Sequence, residues 1–204
     1  MVEDEAKKIQ RRPAKKVTKT RLKNIGLYYL ERFETSVDNL RQVLTKRVND
    51  YAFQNPGYDK SEALGWIEEL LADFERYGYL NDSRYAELKI RDYLAAGKSA
   101  RYIKGKLLQK GIGEDEAERL LAEQDYNPEE LALRLAKKKK IGPFRADEET
   151  RRENRRKDLA VLVRAGFDYA VAQKVLGSDY SEEEYYGDRL LTSLRWRLVN
   201  PFDF

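Results

Sequence analysis

Apolar side chains recur three or four positions apart along nearly the whole chain, as at Leu40 and Leu44 or Ile103 and Leu107, which places them on one helix face. Sustained two-residue alternation and tight hairpin turns are absent, so no strand is expected. Glycine (12) and proline (5) are sparse among 204 residues. The pattern predicts an all-α protein.

The sequence also punctuates its helices. Ser36, Ser61 and Ser99 each precede an amphipathic run, where a side-chain oxygen can accept from a free backbone N–H. Asn127-Pro128-Glu129-Glu130 combines a cap, a proline at the first helical position and acids at the positive end of the helix dipole. Asp82 stands where it can cap the helix that follows it. Ser181 to Glu184 has capping-box spacing and would open a last helix, over about 182–199, that Asn200-Pro201 stops. Gly78, Gly111 and Gly177 fall where a left-handed closing residue is expected.

The chain resembles itself at two offsets. At an offset of 63 residues, Leu22, Ile25, Leu30, Ser36, Leu40 and Leu44 fall on Tyr85, Leu88, Tyr93, Ser99, Ile103 and Leu107. At 55 residues, Leu107, Gly111, Ile112, Ala117, Leu120 and Leu121 fall on Leu162, Gly166, Phe167, Ala172, Val175 and Leu176. Each copy reads as three helices, giving repeats over 19–78, 79–124 and 125–177. The first carries a loop insertion at 49–60 with Tyr51, Phe53 and Tyr58, and the third a long charged connection from Lys137 to Lys157. Residues 1–18 form a basic arm expected to be disordered, and 178–204 an extra C-terminal helix and tail. A three-helix unit this small buries little alone, so the tandem three-helix repeats are expected to stack into an elongated, curved body suited to an extended partner.

Composition narrows the chemistry. The chain has no Cys and no His, which excludes the usual zinc sites, disulfides, and Ser-His-Asp or Cys-His catalysis. Carboxylates remain, but pairs such as Glu68/Glu69 and Glu114 to Glu116 are adjacent on helices and point about 100° apart. No glycine-rich phosphate cradle is present. No enzyme, cofactor or metal site is therefore expected. No apolar stretch approaches the ~20 residues of a membrane span, and the N-terminus lacks an apolar signal region, so a soluble cytoplasmic protein is expected.

Charge is distributed in blocks. The 40 Lys+Arg and 36 Asp+Glu leave a net +4, yet residues 1–24 carry +6, residues 98–110 carry +5 without one acid, and residues 134–157 carry +7. In the middle block Lys98, Arg101 and Lys104 step by three and share a face, with Lys106 and Lys110 further along. Without acids in this stretch the lysines have no i,i+4 partner, so the face suits phosphate or an acidic protein as readily as plain solvent. The third block holds Lys137 to Lys140 and then Arg151, Arg152, Arg155 and Arg156, two like-charged i,i+4 pairs that an acidic partner would relieve. Arg84 belongs near the surface beside the core-facing Tyr85 and Ala86. Of 23 aromatics, 14 of them Tyr, most stand at core-facing positions (Tyr29, Tyr85, Tyr93), while Tyr28, Tyr51, Tyr58, Tyr185 and Tyr186 are less constrained and could stack on bases.

Several of these segments together resemble a known family. They are Leu80-Asn81-Asp82-Ser83-Arg84-Tyr85-Ala86, the stretch from Gly97-Lys98-Ser99 to Lys110-Gly111-Ile112, the block Tyr29-Leu30-Glu31-Arg32-Phe33 with Ser36, Leu40, Arg41 and Leu44, and Leu162-Val163-Arg164-Ala165-Gly166-Phe167. In order and spacing over about residues 20–177 they look like RecX, the bacterial regulator of the RecA recombinase. The resemblance implies an all-helical protein of tandem three-helix repeats that docks along the RecA–DNA filament and restrains ATP hydrolysis, strand exchange and co-protease function; a monomer is expected. The basic residues Arg84, Lys98, Arg101, Lys104, Lys106, Lys110, Arg151, Arg152, Arg155 and Arg156 are then the expected contacts to RecA or to ssDNA or dsDNA. A DNA-binding protein that acts without RecA is the alternative, since tandem three-helix units with basic helices can also enter grooves.

Overall fold

The computed structural model describes residues 15–177, and every regular element among them is helical. The helices are α1 (Lys19–Leu30), α2 (Val37–Gln54), α3 (Ser61–Arg76), α4 (Asp82–Ala95), α5 (Ala100–Leu108), α6 (Glu114–Ala122), α7 (Pro128–Lys139), α8 (Glu148–Arg164) and α9 (Tyr169–Gly177), with a 3-10 turn at Gly142–Phe144. The chain divides into two compact units. One contains 15–89 and 106–120, and the other contains 90–105 and 121–177, so the chain changes unit within α4, α5 and α6. The helix expected over about 182–199, its capping box, Tyr185, Tyr186 and residues 1–14 of the basic arm lie outside the described residues.

In the first unit the core is built on Leu22, Leu40, Leu44, Val48, Ile67, Leu71 and Phe74, all buried. They come from α1, α2 and α3 at the helical spacing the sequence shows. A Cβ at the buried Gly26 would lie 2.7 Å from Phe74 Cε2, so only glycine lets this ring close on α1. Val17, within the stretch assigned to the basic arm, joins this core, and the Thr18 side chain caps α1 by accepting from the N–H of Arg21. The insertion is shorter than its sequence suggests, because α2 continues to Gln54. Tyr51 and Tyr58 then meet edge to face at 4.9 Å, while Phe53 is 83% exposed.

Helix boundaries do not all use the acceptor expected. Ser36 caps α2 by accepting from the Asn39 N–H at 3.2 Å, as anticipated. Ser61, however, is the first residue of α3, and the Asp59 carboxylate accepts from its N–H (2.8 Å) and its hydroxyl (2.7 Å). Asp82 does not cap its own helix either. Asn81 does so by accepting from the Arg84 N–H at 2.9 Å, which frees the Asp82 carboxylate to accept from the Val37 N–H at 2.8 Å and cap α2 from 45 residues away. Burial raises the Asp82 pKa, although the Val37 bond and the charge of Arg41 oppose the shift. Replacing Asp82 by alanine leaves that N–H without its acceptor and is expected to cost about 1 kcal/mol in denaturant unfolding, with Asp82→Asn retaining most of it. At the closing ends Gly78 (φ +73°) and Gly111 (φ +81°) are left-handed as expected, but Gly177 ends α9 without a positive φ.

The second unit packs α7, α8 and α9 around Leu131, Ala132, Ala136, Leu162, Phe167, Ala172 and Val175. Most of the expected connection 137–157 is helical instead. Helix α7 runs to Lys139, Lys140 closes it in the left-handed region (φ 52°), and α8 begins at Glu148 behind the cap Asp147. Asp158, 1% exposed, ties the short turn between them to α8.

Candidate interaction surface

The ten basic residues singled out in the sequence fall in both units. In the first, Arg84 is exposed but engaged, its Nε 2.7 Å from Glu34 Oε1. Lys106 donates to Gln109 at 3.1 Å. Lys110 is half-buried and donates to Asn39 Oδ1 at 2.7 Å, and the Asn39 amide donates in turn to Tyr29 Oη (3.1 Å) and Thr35 Oγ1 (2.8 Å). Lys110 therefore fastens a polar network, a role its charge alone does not announce.

In the second unit Lys98 lies 4.9 Å above the Tyr102 ring, and Tyr102 meets Tyr93 edge to face at 5.7 Å. Arg101 is exposed and Lys104 half-buried. On α8, Arg151 is half-buried and donates to the Pro143 carbonyl at 3.0 Å, and Arg152 pairs with Glu148. Arg155 and Arg156 are exposed. Two of the four arginines are thus engaged locally, and two face solvent.

The structure assembles a cationic site that linear spacing does not reveal. Within the second unit a cleft of about 760 Å³ is lined by Lys98, Arg134, Lys138, Lys139 and Arg164. Among the described residues no carboxylate lines it. Its remaining wall is Tyr102, Leu135, Val161, Phe167 and small residues from Ala95 to Ser99 and at Ala165. Arg134 pairs with Glu130 one turn back on α7, and Arg164 Nε donates to the Ala160 carbonyl at 3.0 Å.

Two short turns hold this cleft. The Ser99 hydroxyl donates to the Ala165 carbonyl at 2.7 Å and accepts from the Tyr102 N–H at 3.2 Å, so it caps α5 and fixes it to the end of α8. Gly166 (φ +91°) and Gly97 (φ +70°) let the chain turn at the two sides. Arg134 and Lys138 stand four apart, a stripe visible in the sequence, but Arg164 and Lys98 join it only through the packing of α4, α7 and α8.

Among the described residues no group of three or more His, Cys, Asp or Glu side chains is placed to hold a metal ion, and no helix is long and apolar enough to cross a membrane. These features define a class, the all-helical proteins made of three-helix units. Residues 81–121 match the family model described as RecX, second three-helix domain. The chain is 41% identical over 177 residues to Regulatory protein RecX of Myxococcus xanthus (strain DK1622), covering 85% of this chain and 94% of that protein. With Regulatory protein RecX of Agrobacterium fabrum it shares 29% over 164 residues, 79% of this chain and 85% of the relative. The fold is similar to the crystal structure of RecX from Lactobacillus salivarius, with a TM-score of 0.57 at 22% identity over 78% of this chain and 94% of that one. A second solved structure, of regulatory protein RecX, gives 0.59 at 22% identity, covering 78% of this chain and 72% of that chain. The chain belongs to the RecX family of regulatory proteins.

Proposed function

We propose that this chain is a cytoplasmic, monomeric regulator of the RecA recombinase that binds the RecA–ssDNA filament and restrains its ATP hydrolysis, strand exchange and co-protease activity. The observation that carries this reading is the 41% identity across 94% of a protein named Regulatory protein RecX. The composition supports a role without catalysis, since a chain lacking Cys and His has neither a thiol nucleophile nor an imidazole base. Exposed cations that are not spent on the internal bonds described above, Arg101, Arg155 and Arg156, meet the acidic surface of RecA or the DNA phosphates. Arg84, Lys106, Lys110, Arg151 and Arg152 hold local structure first.

The test is RecA-promoted strand exchange with increasing amounts of the full chain. Joint-molecule formation falls as the chain is added and is lost near one chain per RecA. Exchange that proceeds unchanged at that ratio overturns the reading. The cleft of five cations gives the second reading, direct contact with a nucleic-acid strand, its own footing.

A further inference from the structure

We infer that the cleft between α4, α7 and α8 binds a short segment of single-stranded nucleic acid, its phosphates on Lys98, Lys138, Lys139, Arg134 and Arg164 and a base against Tyr102 and the apolar wall. This site needs no RecA.

The first argument is charge. The cleft lies where α4, α7 and α8 end, and each helix C-terminus carries about half a negative charge, so some cations here simply balance the dipoles. Five cations exceed that need. Even after Glu130 is set against Arg134, a surplus of about two and a half positive charges remains over three such termini. Lysines 138 and 139 are exposed, so this surplus faces solvent and attracts a polyanion.

The second argument is the wall. Leu135, Val161 and Phe167 form an apolar surface below the cationic rim, and Tyr102 stands beside it. A nucleotide has that same division, a flat base whose π-face stacks on such a wall and a phosphodiester that wants cations. A run of acidic residues alone offers charge without a flat ring for this wall, and a duplex keeps its bases stacked inside. A cleft of this volume, within the range of roughly 300–1,000 Å³ for ligand sites, takes a segment and not a groove-length helix.

The experiment uses the full chain, a fluorescein-labelled oligothymidine of about 20 nucleotides and no RecA, with anisotropy read across about 50–200 mM salt. The native chain binds, and affinity falls steeply with salt. The triple variant Lys98→Ala/Lys138→Ala/Lys139→Ala binds at least about ten-fold more weakly, and its log–log salt slope is shallower by about two, at ~0.7 for each phosphate no longer neutralised. Tyr102→Leu loses affinity with the slope unchanged. Lys46→Ala/Lys60→Ala, on α2 and before α3 in the other unit, binds as the native chain does.

Thermal melts establish that each variant is folded, and Lys138→Glu/Lys139→Glu, at two exposed positions, repeats the test with repulsion in place of simple removal. The inference is overturned by a native chain that binds no strand, by a triple variant with native affinity and slope, or by an oligoglutamate or duplex of equal charge that displaces the strand as well as unlabelled oligothymidine does. None of these results touches the strand-exchange test, so failure here and failure of the RecA reading are separate outcomes.

Discussion

Replacing Asp158 by alanine lowers the free energy of unfolding by about 3 kcal/mol at neutral pH. The carboxylate is 1% exposed and takes three hydrogen bonds, from the Gly142 N–H (2.9 Å), Arg145 Nε (2.8 Å) and Arg145 Nη2 (2.6 Å). The two guanidinium bonds are a fork on one carboxylate, the geometry in which an ion pair is strongest. Alanine removes all three acceptors at once, strands the turn N–H, and leaves a guanidinium side chain only 21% exposed without its counter-charge. Asp158→Asn keeps the shape and one acceptor and is expected to cost less. A D158A unfolding midpoint equal to the native one contradicts this role.

The same pair sets an acid limit. Burial pushes the Asp158 pKa up, but the hydrogen bonds from Arg145 and Gly142 and the charges of Arg145 and Lys157 outweigh it, and the folded value lies below the ordinary one. A carboxyl depressed in the folded state stabilises fully above its unfolded pKa, about 3.9, and loses that contribution as pH falls through the folded value. The gap between native chain and D158A is therefore constant from neutral pH down to about pH 4 and narrows below it.

Gly166→Ala is expected to cost about 2 kcal/mol. Its φ of +91° lies in the region where an L side chain is disfavoured by about 1–2 kcal/mol. A Cβ there would also lie 2.6 Å from Ser99 Oγ and 3.2 Å from Arg101 Cβ. The hydroxyl cannot retreat without giving up its bonds to the Ala165 carbonyl and the Tyr102 N–H, worth about 1 kcal/mol each. Gly105 within α5 is the control, since it has no positive φ and nothing within 4 Å of its missing Cβ, so Gly105→Ala does not destabilise the chain. Equal melting temperatures for the two variants would contradict the packing described at Gly166.

The parts of this fold that are legible in the sequence are those set by local chemistry. Ser36, Ser99 and Asn127 accept from N–H groups two or three residues on, and Gly78 and Gly111 close helices in the left-handed region, all within one turn of chain. The role of Asp82 is not legible there, because it depends on Val37, which is near only after folding. The segment 137–157 looks like a connection in the sequence because its charges hide its period. The buried face of α8 begins only at Asp158 and Leu162, while the preceding turns hold themselves through contacts such as Arg152 with Glu148.

The site divides the same way. Charge marks Lys98 and the run at 137–140, yet it also marks Arg84 and Lys110, which the fold turns to Glu34 and Asn39. Arg134 shows only its four-residue spacing to Lys138, and Arg164 carries no distinguishing pattern in its own helix. They become part of a cationic cleft only because α7 and α8 end beside Gly97 and Lys98.

The most direct measurement of RecA regulation is the ssDNA-dependent ATPase of RecA titrated with the full chain. If the chain restrains the filament, hydrolysis falls progressively as it is added and is strongly suppressed at one chain per RecA. A hydrolysis rate that stays level through that ratio contradicts the proposed function.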